Sequence, residues 1–434
     1  MNRLCTISSP LSTRSGYGKI SRDLINNILD LYENEWEIKL ISLNWGSCPM
    51  DVLNENTPEN ERFIKHLLMP PYQLNRQPDV HIHIGIPNEA QPFGKFNILY
   101  TAGIETDLIS KLWIEGCNRM DLILLTSEHS KRVFENSICD VKNNNGIITE
   151  THKVTKPCVV LPGYINVDIF KHIKKEEIPQ EIDTTLNNIK EDFCYLFVGQ
   201  WLKGNYGEDR KQISTLIKVF CETFKDIKSP PALILKTSGA TFSKIDRDDC
   251  LNKIRQVRAT VQNPPNVYLL HGDLTDDEMN GLYNHPKVKC MVSFTSGEGL
   301  NLPLLEASQA QKPIISSGWS AMTDFLNPKD AILIGGELNK IPNAAVWENI
   351  LIPDSKWFYI DINMAAKGLY LVHSQYGKFK DGGWRTAKNI RINYCKETIQ
   401  NKTKLILEQY LPELPKENIL ELPELIKLPE LVKN

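Results

Sequence analysis

Glu298 and Glu306 frame a glycine-bearing segment, Ser296-Gly-Glu-Gly-Leu-Asn-Leu-Pro-Leu-Leu-Glu306, that follows an apolar run over 290–294. The glycines permit a tight strand-to-helix turn with close backbone approach, and Pro303 stands where a helix can begin. Such a turn aims the amides of Gly299, Leu300 and Asn301 at one point, and a helix N-terminus of this kind binds phosphate. Carboxylates on either side would repel a phosphate unless they face sugar hydroxyls, whose hydrogen bonds they accept well. Positive charge comes from a second cluster, Arg210-Lys211, at the mouth of a helical pattern over 212–224. Cations oppose the dipole at a helix N-terminus, so their placement points to an anion arriving from solvent. Arg offers a planar fork for phosphate oxygens and Lys a point charge. A third cluster, Ser15-Gly16-Tyr17-Gly18-Lys19, joins an apolar run over 4–8 to a helical pattern over 19–31 and reads as another flexible turn.

These clusters need elements to carry them. Strand-like apolar runs recur over 4–8, 37–43, 80–86, 96–101, 122–126, 159–161, 195–199, 233–237, 267–270, 290–294, 313–316 and 331–334. Amphipathic patterns lie between many of them, over 19–31, 130–134, 212–224, 253–261, 276–283 and 304–310. Strand alternating with helix predicts parallel sheets with crossover helices, an α/β architecture. Two such series are visible. The expected division is a domain over 1–172, a polar linker over 173–192, a second domain over 193–383 and terminal helices over 384–410. A tail over 411–434 carries an irregular Leu-Pro-Glu-Leu repeat, read as short broken helical turns. Open α/β sheets bind ligands outside the carboxyl ends of their strands, so two such domains face each other across a cleft.

Composition narrows the class. The 434 residues carry 50 basic and 53 acidic side chains, a net charge of −3, which argues against a wholesale electrostatic grip on nucleic acid. Ten cysteines without a Cys-x-x-Cys pair suggest a reduced compartment. No apolar window reaches the roughly 18 residues of a spanning helix and no leader is visible, so a cytoplasmic, soluble protein is expected; composition leaves a peripheral membrane contact open. Metal chemistry is not expected. Asp246-Arg-Asp248 lies in a charged stretch and reads as a solvated face; His81 and His83 share one strand face without a third ligand and read as packed side chains.

Taken in order, the motifs resemble the retaining family 4 glycosyltransferases with the GT-B fold. The resemblance rests on Glu298-x7-Glu306 and on Arg210-Lys211 after a strand. It extends through Thr126-Ser-Glu-His-Ser-Lys-Arg-Val-Phe134, Val160-Leu-Pro-Gly-Tyr-Ile-Asn-Val-Asp168, Asn266-Val-Tyr-Leu-Leu-His-Gly272 and Trp319-Ser-Ala-Met-Thr-Asp-Phe325, most of the chain up to about 411. It implies two Rossmann-like domains, the first on the acceptor side and the second binding the nucleotide sugar, with C-terminal helices packing back on the first. By the same resemblance Glu306 would hold the ribose hydroxyls of a nucleotide diphospho-sugar and Glu298 those of the donor sugar. Arg210 and Lys211, helped by the amides of Gly299, Leu300 and Asn301, would neutralise the departing diphosphate without a metal or other cofactor. Cleft closure would bring Gly16 and Gly18 against the phosphate site and exclude water.

Two positions depart from the family pattern. Gln200 stands where many members place an Arg, leaving that duty to Arg210. The segment 100–107 lacks the usual His and offers Glu105; with Tyr17 it is the candidate contact to donor sugar or acceptor. The implied activity is hexosyl transfer, with retained configuration, to a saccharide, lipid-linked or protein hydroxyl. Competing readings are a non-hydrolysing nucleotide-sugar epimerase, an inactive nucleotide-sugar binding protein and a DNA-base glycosyltransferase; the last would show steeply salt-dependent DNA binding.

Overall fold

The structure, a computed structural model, describes residues 2–413 apart from 47, 55, 72, 203–205 and 240, so the tail expected over 411–434 lies outside the described residues from 414 onward. Two parallel six-stranded sheets organise the chain. The first uses β1 (Arg3–Ser9), β2 (Trp36–Ser42), β3 (Val80–Ile84), β4 (Phe96–Thr101) and β5 (Leu122–Leu125). After an antiparallel hairpin, β6 (Ile138–Lys142) and β7 (Ile148–Lys153), it is completed by β8 (Cys158–Val160) in the order β2-β1-β3-β4-β5-β8. The second contains β9 (Cys194–Val198), β10 (Ala232–Lys236), β11 (Val267–Leu270), β12 (Val288–Ser293), β13 (Ile314–Ser317) and β14 (Ile332–Ile334), ordered β11-β10-β9-β12-β13-β14. A second antiparallel hairpin, β15 (Gly336–Lys340) and β16 (Lys356–Ile360), follows it.

The strands read as apolar runs because helices cover both faces of each sheet. Every residue of β3 is buried, His81 and His83 included. His81 Nδ1 lies 2.8 Å from Thr6 Oγ1, and burial lowers both imidazoles to about 4, so they are neutral, packed side chains. In the helix Gly16–Tyr32, Ile20, Leu24 and Ile28 recur at i+4 and bury one face in the first core.

The stretch expected as a polar linker is built into the second domain. It contains the helix Gln180–Asn187, and Ile178, Ile182, Leu186 and Ile189 join Ile165 and Phe170 in the second domain's core. Their helical spacing lies hidden in a strongly polar background. Asp246 also departs from its reading as a solvated residue. It lies inside the helix Lys244–Arg258, accepts a 2.9 Å hydrogen bond from the Gly239 amide and pairs with His271 Nε2 at 2.8 Å.

At the C-terminal end, the helix Gly377–Asn393 packs on the second domain. The chain then crosses at Tyr394, whose carbonyl accepts the Ile165 amide at 2.8 Å. The helix Lys396–Tyr410 places Ile399, Ile406 and Leu407 in the core of the first domain. Among the described residues no helix is long and apolar enough to cross a membrane.

The turn expected over 15–19 is instead the opening of a helix. Ser15 is its N-cap, with the hydroxyl accepting the Gly18 amide at 2.9 Å, so regular structure starts at Gly16. A Cβ on Gly18 would lie 2.2 Å from the Thr13 carbonyl oxygen, whereas one on Gly16 meets nothing within 4 Å. Gly18→Ala should therefore destabilise the fold by about 1–3 kcal/mol, and Gly16→Ala should leave stability within about 0.5 kcal/mol. Urea denaturation of both variants checks this, and equal midpoints would refute the close-approach argument.

Candidate functional site

The order of the second sheet reverses between β9 and β12, the topological switch point where open α/β sheets form their ligand crevice. Because these strands are parallel neighbours, the loops leaving their carboxyl ends emerge side by side. One carries Arg210 and Lys211 into the helix Ile213–Phe224, and the other carries Glu298 into the helix Leu302–Ser308. The Ser296 amide donates to the Arg210 carbonyl at 2.8 Å, tying the loops together.

The helix dipole that the two cations would oppose is already answered. Buried Asp209 accepts the Ile213 amide at 2.7 Å and the Ser214 hydroxyl at 2.5 Å, capping the helix, and Gln212 turns through a left-handed conformation with φ 52°. Arg210 and Lys211 are thereby directed away from the helix. Lys211 Nζ lies 2.5 Å from Glu298 Oε1, and Arg210 Nη1 lies 3.2 Å from Glu298 Oε2 and 2.9 Å from the Gly297 carbonyl oxygen. Burial by itself would raise the Glu298 carboxyl, but Lys211 and Arg210 beside it bring it down to about 2. Burial lowers Lys211 despite Glu298.

The glycines of the motif serve a different purpose from the expected tight turn around a ligand. Gly297 and Gly299 do not have positive φ; the left-handed residue is Asn301, at 67°. A Cβ on Gly297 would lie 2.1 Å from the Glu105 carbonyl oxygen, and one on Gly299 would lie 2.1 Å from that of Ala102. Both glycines let the two domains touch. The amides of Gly299, Leu300 and Asn301 make no hydrogen bond with the described residues, and Asn301 Nδ2 is buried without a partner. Four residues of the following helix on from its Leu302 start, Glu306 sits partly enclosed near Lys19, Asp23 and Asp276. Burial, with repulsion from Asp276 and Asp23, outweighs Lys19 and raises its carboxyl to about 8.

The first domain supplies the opposite wall. Glu105 Oε1 lies 3.3 Å from Arg210 Nη1, so the residue expected at donor sugar or acceptor pairs with a site cation across the cleft. Tyr17 is tied into the same wall: its hydroxyl lies 2.9 Å from Thr101 Oγ1 and accepts the Ala102 amide at 3.2 Å, while its ring packs 4.2 Å from Trp45. Several closing contacts escaped sequence reasoning. Thr126 Oγ1 donates to the Gly299 carbonyl at 2.8 Å, the Glu128 amide donates to Asp324 at 2.8 Å, and the His129 and Trp319 rings meet edge to face at 5.0 Å. Thr126, His129 and Trp319 sit in the quoted motifs, but nothing in their types signals a partner in the other domain.

Gly16, exposed, and Gly18, buried, stand on the first-domain side, and Arg14 just before them reaches Asp273 of the second domain at 3.6 Å. With the domains together, the space beside Arg210 and Lys211 is small, a cavity of about 50 Å³ lined also by Gln200, Trp201, Leu202 and Asp209. A larger one, about 640 Å³, lies away from the cleft between the helices Ile213–Phe224 and Lys244–Arg258. The smaller space adjoins the convergent charges and is the relevant one. Among the described residues no group of three or more His, Cys, Asp or Glu side chains could hold a metal ion.

No family model and no curated sequence matches the chain. Solved structures do. A sucrose-phosphate synthase from Thermosynechococcus elongatus aligns with a TM-score of 0.61 at 12% identity, over 94% of this chain and 99% of that one. Anabaena HepE in complex with UDP-glucose aligns at 0.58 and 12%, over 94% and 99%. A UDP-forming α,α-trehalose-phosphate synthase from Burkholderia xenovorans aligns at 0.59 and 10%, over 95% and 100%. At such identities the shared property is the fold, and the chain has the two-domain GT-B architecture.

The state of Glu306 has a measurable consequence. An unfolded carboxyl ionises near the ordinary 4.5, the folded one near 8. Between these values the folded protein keeps a proton that the unfolded chain has lost, so the associated stability is full below about 4.5 and is withdrawn as pH rises to about 8. Glu306→Gln removes this dependence. Its melting temperature relative to the parent should rise from pH 5 to pH 8; an offset that does not change with pH would show that the carboxyl is ionised throughout.

Proposed function

We propose that the chain is a glycosyltransferase that moves a hexose from a nucleoside diphospho-sugar to a hydroxyl acceptor with retention of anomeric configuration. The observation that carries this reading is the convergence of Arg210, Lys211, Glu298, the unpaired amides of Gly299, Leu300 and Asn301, and Glu306 at the switch point of the second sheet, facing the first domain. UDP-glucose is the first donor to test, since HepE is in complex with it and the trehalose-phosphate synthase is UDP-forming.

In this reading Arg210, Lys211 and the three amides take the diphosphate. As the bond from the sugar's anomeric carbon to the phosphate oxygen breaks, its electron pair stays on that oxygen, and the fixed cations stabilise the charge that develops there. The acceptor oxygen bonds to the anomeric carbon from the same face and its proton passes to the departing diphosphate. Glu298, kept ionised by its two cations, accepts hydrogen bonds from hydroxyls of the transferred sugar. Glu306 carries a proton at neutral pH, so it can donate to one ribose hydroxyl and accept from the other. The cations supply the charge a metal would otherwise bring, which supports a metal-independent reaction needing no other cofactor. The ten free cysteines suit a cytoplasmic location.

Donor hydrolysis and transfer to a panel of hydroxyl acceptors test the reading. Arg210→Ala and Lys211→Ala should each lower kcat by about 10²–10³-fold with a smaller change in donor KM. Glu306→Ala should mainly raise donor KM, by roughly tenfold for the loss of about 1.4 kcal/mol of hydrogen bonding. Parental kinetics in all three variants would remove the site assignment.

A further inference from the structure

We infer that Glu105 is a built-in occupant of the phosphate site: in the empty enzyme its carboxylate holds Arg210 across the cleft, and an incoming diphosphate must displace it. The inference rests on the donor reading of Arg210 and Lys211 above.

Charge balance is the first argument. Two cations, Arg210 and Lys211, face two carboxylates, Glu298 and Glu105, so these four side chains balance in charge with no ligand bound. A diphosphate added to this unchanged cluster would leave surplus negative charge in an enclosed place, where unpaired charge is most costly. One carboxylate therefore has to leave. Glu298 is poorly suited to do so: it is buried and contacts both cations. Its amide donates to Ser320 Oγ at 2.9 Å and its carbonyl accepts from the Ala321 amide at 3.3 Å.

Glu105 is held differently. Among the described residues its carboxylate has one ion-pair partner, Arg210, and 28% of its side chain is exposed. Its backbone, in contrast, is wedged against Gly297, where no Cβ could fit. A side-chain rotation can thus free Arg210 without moving the loop or opening the Gly297 contact. Glu105 shares Arg210 Nη1 with Glu298 and the Gly297 carbonyl oxygen, so a phosphate oxygen approaching that nitrogen competes with the Glu105 carboxylate, and Glu105 lowers nucleotide affinity while keeping the cation shielded when the site is empty.

Glu105→Gln keeps the size of the side chain and removes its charge. UDP, GDP and ADP, and UDP-glucose beside them, are titrated into the full chain and into this variant by calorimetry, with thermal melts confirming that both are folded. The expected result is about tenfold tighter binding of the preferred nucleotide to the variant. Independently of any nucleotide, Arg210 should react several-fold faster with phenylglyoxal in the variant, followed by mass spectrometry of the Arg210 peptide. Binding that the substitution leaves unchanged or weakens overturns the inference alone, as does an unchanged Arg210 reaction rate. Unchanged UDP affinity with weakened UDP-glucose affinity would place Glu105 on the donor sugar instead. If neither form binds any of the three nucleotides, the donor reading fails and this inference with it.

Discussion

A carboxylate that is almost shut off from water needs charged partners close at hand, and Glu298 is such a carboxylate. Both of its cations come from another loop, and that loop can reach it because β9 and β12 are neighbours in the sheet. Much of the local backbone serves this encounter. Asp209 caps the helix behind the cations, Gln212 takes a left-handed turn, and its side-chain amide donates to Ser296 Oγ at 3.1 Å. The β15–β16 hairpin adds a further brace, since the Phe358 amide donates to the Ser296 carbonyl at 3.2 Å. On the side of the second domain these hydrogen bonds brace the site, and a buried charge would be destabilising in any looser arrangement.

The opposite wall is held by contacts of another kind. Backbone meets backbone at Gly297 with Glu105 and at Gly299 with Ala102, so a methyl group on either glycine would push the domains apart. Around this seam lie the Thr126 hydroxyl, the Asp324 carboxylate and the His129–Trp319 ring pair. The His129 imidazole, lowered by burial to about 4, is neutral and packs as an aromatic ring. A seam made of short polar contacts and two partly exposed ion pairs, Glu105–Arg210 and Arg14–Asp273, can separate more readily than an apolar core can, as a cleft that admits substrate requires.

The alternating apolar runs and helical patterns made the two sheets legible in the sequence, with most strand positions displaced by only a residue or so. The runs at 96–101 and 267–270 are strands β4 and β11 with the same bounds. Elements with weak periodicity escaped: both hairpins, and the helix Gln180–Asn187, whose few apolar residues are outnumbered by polar ones. At the site, the Glu298–Glu306 segment and Arg210-Lys211 stood out because glycine, proline and paired charges have strong local meanings. Partnerships did not stand out. That Lys19 faces Glu306, or that Glu105 reaches Arg210, depends on sheet order and domain approach, which no local pattern encodes.

The return of the last helix to the first domain affects how the protein is made. Residues of β1, β3 and β4 leave the ribosome early, yet the core they build also requires Ile399, Ile406 and Leu407 from Lys396–Tyr410. At roughly 5–20 residues per second, translation exposes that incomplete core while the whole second domain is synthesised. The domain begun first is therefore finished last, and the nascent chain spends that interval with an apolar groove beside the helix Gly16–Tyr32 awaiting its cover. Biosynthesis thus couples the two domains before any substrate does.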